Sequence, residues 1–246
     1  MKERYIILLL SIVASCGVWA QSATDNIVKD IESIAQQQAT LTIAECDSVA
    51  REWVGAIPQD ELLTYAMHAQ KILYPPYSTH NGRIAYRVLL ERLLQSGGDE
   101  LVLLRYRYMY ESLCHNNEGD EATDFVYYDV NDQEHSLHSL RGARTLVIFN
   151  DPECEDCATL RRHIVAECEL QGEVIDADTR VLVVYPDEPT DEWREAIAHY
   201  PDSWIVGYSP DVSDLYDLRT LPSTYLLDND HTILLRDAHT YITDAQ

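Results

Sequence analysis

Cys154 and Cys157 stand two residues apart in the run Asn150-Asp151-Pro152-Glu153-Cys154-Glu155-Asp156-Cys157. On a helix this spacing puts both sulfurs on one face, one turn apart. A C-x-x-C pair can exchange disulfides, form half of a metal site, or act as an inert staple. A metal site needs further ligands. His163 follows Cys157 by six residues, which places it on another helical face, and no second C-x-x-C or closely spaced histidine pair occurs. No metal and no cofactor are expected. Peroxide chemistry is disfavoured too, because acids rather than an arginine flank Cys154, and Arg161 and Arg162 lie two turns on.

The surrounding pattern positions the pair. Thr145 to Asn150 is a continuous apolar run, expected as a central strand. Asp151-Pro152-Glu153 makes a short turn, and helical spacing resumes with Leu160 and Ile164. Cys154 then falls where the helix begins, so its sulfur faces the unpaired N–H groups of the first turn, which favour a thiolate. Cys154 is expected to attack and Cys157 to resolve. Val181 to Pro186 reads as a second central strand and Asp191 to Tyr200 as a helix. Ser223 to Asp228 and Thr232 to Asp237, joined at Asn229-Asp230, read as a closing hairpin. Pro222 stands directly before that hairpin, 65 residues beyond Cys157. A cis peptide there would expose backbone beside the cysteines, which makes Leu221 and Pro222 the expected substrate contacts.

Upstream, residues 24 to 117 carry helical periodicity. Pro75-Pro76 and Gly97-Gly98 act as breaks, and Asp99 is a cap. In the last of these helices Tyr106, Tyr108 and Tyr110 read as packing residues. Cys114 to Asp124 is polar and reads as a flexible domain boundary. Phe125 to Val130 and Glu134 to Leu137 flank an Asn131-Asp132 turn as a hairpin. Asp129, Asn131, Asp132 and Glu134 faintly suggest a calcium loop, but its glycine and closing glutamate are missing. Cys46 and Cys114 are expected as packing residues, with a bridge between them as the rival.

The run Ala122 to Asp237 resembles the thioredoxin superfamily, specifically its exported TlpA-like redoxins. "ATDFVYYDVNDQEHSLHSLRGARTLVIF" is similar to that family's leading hairpin and first central strand. "RVLVVYPDEPTDEWREAI" is similar to its second central strand and following helix. The resemblance implies an α/β thioredoxin-like fold, a mixed central sheet flanked by helices, preceded by an all-helical N-terminal domain. It also implies disulfide exchange through Cys154 and Cys157, with Pro222 as the cis-proline. The helical part resembles a domain of unknown function found fused before such redoxins. Two positions depart from the pattern: Glu153 replaces the tryptophan before the first cysteine, and Ile148 stands where thioredoxins keep a buried acid. The expected division is residues 1–20 as signal peptide, 21–117 as helical domain and 118–246 as thioredoxin-like domain.

The net charge of −24 argues against nucleic-acid binding, which needs a basic surface. Near Cys154 the acids Glu153, Glu155 and Asp156 oppose thiolate formation. A less stable thiolate makes the disulfide harder to reduce, so these residues are expected to tune the pair toward a reductant or isomerase-like thiol donor. Expected partners are protein thiols or disulfides of the cell envelope and a membrane-bound or soluble redox partner. The alternative is an inert redoxin-fold module with a binding or structural role in the envelope.

Lys2 and Arg4 followed by an apolar run of about ten residues suit an export signal rather than a membrane span. Two processing sites compete. Val18-Trp19-Ala20 precedes Gln21, and Val13-Ala14-Ser15-Cys16 resembles a bacterial lipobox that would acylate Cys16. The protein is expected in the periplasm, or anchored there as a lipoprotein through Cys16. Intact mass of the native protein should give a start at Gln21; a lipid-modified Cys16 would overturn that expectation.

Overall fold

The computed structural model describes residues 24–170 and 179–239. The expected export signal, residues 1–20, with Cys16 in it, lies outside the described residues. The chain divides into two compact units, Met1–Tyr110 and Glu111–Gln246.

The first unit is helical: α1 (residues 24–38), α2 (Ile43–Ala56), α3 (Leu62–Leu73), α4 (His80–Ser96) and most of α5 (Glu100–Leu113). Local chemistry sets the ends. Glu45 reaches back to accept the Thr42 N–H at 3.0 Å, opening α2. The Thr79 hydroxyl accepts the Gly82 N–H at 3.1 Å, opening α4. Gly97, at φ 73°, closes α4, and the Asp99 carboxylate then accepts the Leu101 N–H. Helix α4 packs against both α2 and α3. Small residues at the contact, Cys46 and Ala50 on α2, Ala66 and Ala69 on α3 and Ala85 on α4, are fully buried and allow close approach. Cys46 and Cys114 are free thiols. Tyr106 is buried as expected, whereas Tyr108 is exposed. Among the described residues no helix is long and apolar enough to cross a membrane.

The second unit is built on one seven-stranded sheet. Its strands are β1 (Val126–Asp129), β2 (Glu134–Ser136), β3 (Thr145–Phe149), β4 (Arg180–Tyr185), β5 (Ile205–Tyr208), β6 (Ser223–Leu227) and β7 (Ile233–Arg236), in spatial order β2-β1-β5-β4-β3-β6-β7. Strands β3, β4 and β5 run parallel; β6, β7 and the β1–β2 hairpin pair antiparallel. Every residue of β3 is buried, so its alternate side chains feed two cores. Val147 and Phe149 pack with Phe125, Leu182, Val184, Tyr216 and Tyr225. Leu146 and Ile148 face the other way, with Val183, Leu226 and two residues of α6 (Glu155–Leu170), Leu160 and Ile164.

Three features differ from expectation. Strand β5 was not anticipated. It has only four residues, and Gly207 interrupts an otherwise strand-favouring Ile205-Val206-Tyr208 set, yet it joins the hairpin to the parallel strands. Helix α7 is shorter than expected, Asp191–Ala196, and a 3-10 turn over Ile197–His199 leads to Pro201. The polar segment after α5 is fastened rather than loose. Asn116 is buried, donates to the Leu215 carbonyl at 2.9 Å and accepts the Thr123 N–H at 2.8 Å. Gly119 and Ala122 donate to the Ile233 and His231 carbonyls, so this segment lines the outer side of β7. The acid-rich hairpin turn is likewise explained internally: Asp129 accepts the Asn131 and Gln133 N–H groups at 2.8 and 3.0 Å.

Ile148 pairs in register with Thr224, whose hydroxyl lies 2.9 Å from His239 Nδ1 and accepts the His239 N–H. Burial pushes this imidazole from its ordinary 6.5 down to about 4.

Two outcomes follow from the packing. A methyl group on Gly207 would sit 2.6 Å from the Tyr128 carbonyl oxygen and 2.9 Å from the Tyr127 ring. Gly207→Ala should therefore cost about 1–3 kcal/mol in urea unfolding. His239 stays neutral in the folded chain while the unfolded chain takes up a proton near pH 6.5. Its contribution is fully present above that pH and declines as pH falls toward 4, by up to about 1.4 kcal/mol per pH unit. Between pH 6.5 and 5, His239→Gln should flatten the stability profile; an unchanged slope would contradict the assignment.

Candidate active site

The site forms where β3 ends. Asn150 is buried; its N–H donates to the Val184 carbonyl at 3.1 Å and its side-chain amide donates to the Tyr200 hydroxyl at 2.7 Å. The chain then turns tightly. The Asp151 carboxylate accepts the Glu153 N–H at 2.8 Å, and its carbonyl accepts the Cys154 N–H at 3.2 Å. Asp151 and Pro152 thus deliver Cys154 to the residue just ahead of α6.

Cys154 occupies the N-cap. Its carbonyl accepts the Ala158 N–H at 3.1 Å, and its sulfur accepts the Cys157 N–H at 3.1 Å. A serine or aspartate cap uses an oxygen in the same way. Cys157 sits one turn on and is buried, whereas Cys154 is half-buried. The two are joined as a disulfide, with Cα atoms 5.2 Å apart. One sulfur therefore meets solvent and its partner lies behind it.

The second wall comes from the start of β6. Phe149 at the end of β3 pairs with Ser223 at the start of β6. That register places Leu221 and Pro222 beside the residues following β3. The Leu221–Pro222 peptide is cis, Pro222 is buried, and the Leu221 carbonyl oxygen lies 3.6 Å from the Cys154 sulfur. The structure thus brings Cys154, Cys157, Leu221 and Pro222 together. A reduced Cys154 would have an N–H favouring its thiolate and a carbonyl favouring its thiol.

Glu153, Glu155 and Asp156 are exposed around the sulfur. The field of this acidic surface reaches Tyr185 at the end of β4. Burial first, and then Asp151, Asp187, Glu153 and Glu192, push the Tyr185 phenol up. The cation of Arg161 is turned aside, over the Tyr200 ring at 5.1 Å. Ile148 is buried in an apolar cluster. Sequence reading did not single out Asn150 or Tyr200, which hold the turn before Cys154. The one available signal was a polar residue closing an apolar strand.

No family model matches the chain. A curated relative, the thiol-disulfide oxidoreductase ResA of Halalkalibacterium halodurans, is 26% identical over 115 residues, 46% of this chain. The chain spans 63% of that protein's length. Among solved structures, a thioredoxin-like protein from Bacteroides caccae matches with a TM-score of 0.71 and 24% identity, covering 86% of this chain and 81% of that one. The C-terminal domain of an uncharacterized protein from Bacteroides fragilis is 30% identical over 52% of this chain and 98% of its own, with a TM-score of 0.46. The mixed sheet and the helix opened at Cys154 agree with the Bacteroides caccae likeness: the chain has a thioredoxin-like fold preceded by a helical region.

Proposed function

We propose that this chain is an exported thiol-disulfide oxidoreductase that exchanges disulfides through Cys154 and Cys157, in the reducing or isomerising direction. One observation carries the reading: a half-buried sulfur at a helix start, backed by a buried second cysteine and faced by the Leu221 carbonyl. The activity named for the Halalkalibacterium halodurans relative supports it.

In the reduced form the Cys154 thiolate attacks one sulfur of a partner disulfide. The partner's S–S bond breaks, a mixed disulfide forms, and one partner thiolate leaves and takes a proton. Cys157 then attacks the Cys154 sulfur. This forms the Cys154–Cys157 disulfide and releases the second partner thiol. Two electrons and two protons pass to the partner, and a dithiol donor must restore the pair. The Leu221 and Pro222 backbone would align the partner chain during the attack. The acids decide direction. A helix start favours a thiolate by about 0.3–1 kcal/mol. One charge about 4 Å away in water is worth about 1 kcal/mol. Two or three carboxylates at greater, screened distances match or exceed the helix effect. The reduced state is thereby disfavoured, which makes the dithiol a better donor. Export through the N-terminal signal, to the periplasm or to a lipid anchor at Cys16, would put the pair among envelope proteins.

Cys157→Ala should accumulate a mixed disulfide with its partner on a non-reducing gel, and Cys154→Ala should accumulate none. The double variant Glu155→Gln/Asp156→Asn should raise the reduction potential, by about 30 mV for each unit the thiol pKa falls. If the reduced chain exchanges with no model disulfide, the reading fails and an inert structural or binding module takes its place.

A further inference from the structure

The segment between β5 and β6 carries the Leu221 carbonyl, and it is held at several points. Val212 and Tyr216 are buried in the core beneath Phe149. The Tyr216 hydroxyl donates to the Thr123 carbonyl at 2.6 Å. Asp217, four residues before Leu221, makes the tie to the sheet. Its Oδ2 accepts from Arg236 Nη2 at 2.8 Å, and both side chains are about 95% buried, at 5% and 4% exposure. Arg236 lies on β7, paired with Tyr225 of β6, and its guanidinium stands 5.9 Å from the Tyr225 ring centre. Arg219 also donates to Asp217, at 2.8 and 3.0 Å, but stays within the same segment.

Burying an ion pair this deeply costs desolvation, and such a pair fixes geometry more than it adds stability. Here the geometry is that of the Leu221 carbonyl against Cys154. We infer that Asp217, through Arg236, is a positioning residue that holds the Leu221 carbonyl against the Cys154 sulfur and so sets how readily that thiol ionises. This rests on the reading of Cys154 as the attacking sulfur. A carbonyl oxygen at this distance accepts a bond from a thiol and repels a thiolate, so a firmly held carbonyl keeps the thiol protonated. Loosening the segment should release that constraint.

The test uses the reduced full chain. Iodoacetamide labelling of Cys154 is followed by peptide mass as a function of pH, in Asp217→Asn, Arg236→Gln and Arg219→Gln. The first two remove opposite charges but loosen the same tie. Through-space charge would move the pH midpoint in opposite directions. Loss of positioning should lower it in both, by about one pH unit, with labelling about tenfold faster below the midpoint. Arg219→Gln should leave the midpoint in place. The charges of Asp151, Glu153, Glu155 and Asp156 and the Tyr185 phenol are common to all variants. Opposite shifts, or none, would overturn the inference. Each single exchange removes one half of a buried ion pair, so either variant can fail to fold. The double variant Asp217→Asn/Arg236→Gln removes both charges of that pair, keeps the net charge and should still lower the midpoint; an unchanged midpoint overturns the inference. Labelling needs no partner disulfide, so a chain that exchanges none defeats the functional reading alone.

Discussion

The ladder between β3 and β6 is the constraint on which the sulfur site depends. Five residue pairs, from Thr145 with Leu227 to Phe149 with Ser223, set two loops from distant parts of the chain against each other. All ten residues are buried. Because strand side chains alternate, a slip of one residue would turn Tyr225 and Leu226 to the wrong faces. It would also carry the Leu221 carbonyl about 3.4 Å along the strand, away from Cys154. Core packing therefore specifies the register, and the register specifies the site. The chemistry at the surface inherits its precision from hydrophobic alternation in the sheet.

The strands that build this ladder were legible because both are apolar and bounded by turn residues. Pro222 was legible for the same reason, as a proline directly ahead of a strand run. Strand β5 was not: its glycine reads as a break, and its partner on the hairpin side, β1, lies some 80 residues earlier. Gly207 serves the close approach of the Tyr128 backbone, which only the fold reveals. The polar segment around Asn116 misled for a related reason. Composition describes how a segment meets water, whereas Asn116 uses its polarity to satisfy backbone groups inside the unit. The Asp217–Arg236 pair could not be read at all. In a chain with 42 acidic residues, nothing in one aspartate's spacing marks it as buried.

The influences on the Cys154 sulfur differ in kind. The Cys157 N–H and the Leu221 carbonyl are in contact with it and are fixed by backbone. The acids Glu153, Glu155 and Asp156 act from exposed side chains. Salt screens the second group, over about 10 Å at 0.1 M, and barely touches the first. The site thus combines a contact setting that ionic conditions leave alone with a longer-range setting that they modulate. Burial separates the two, placing the contacts on the sheet side and the charges on the solvent side.

The segment that lines β7 has a consequence for association. Its Gly119 N–H and Asp120 carbonyl pair with Ile233 at the start of β7, and its Ala122 N–H with His231 just before it, at backbone positions that would otherwise be free to pair. A sheet margin left open invites another chain to add a strand, whether a target peptide or a second copy. Here the start of that margin, at Ile233, is already taken by the chain's own residues. At the opposite margin, β2 is only three residues long. Both ends of the sheet thus offer a shorter backbone template for an added strand than their sequence length suggests.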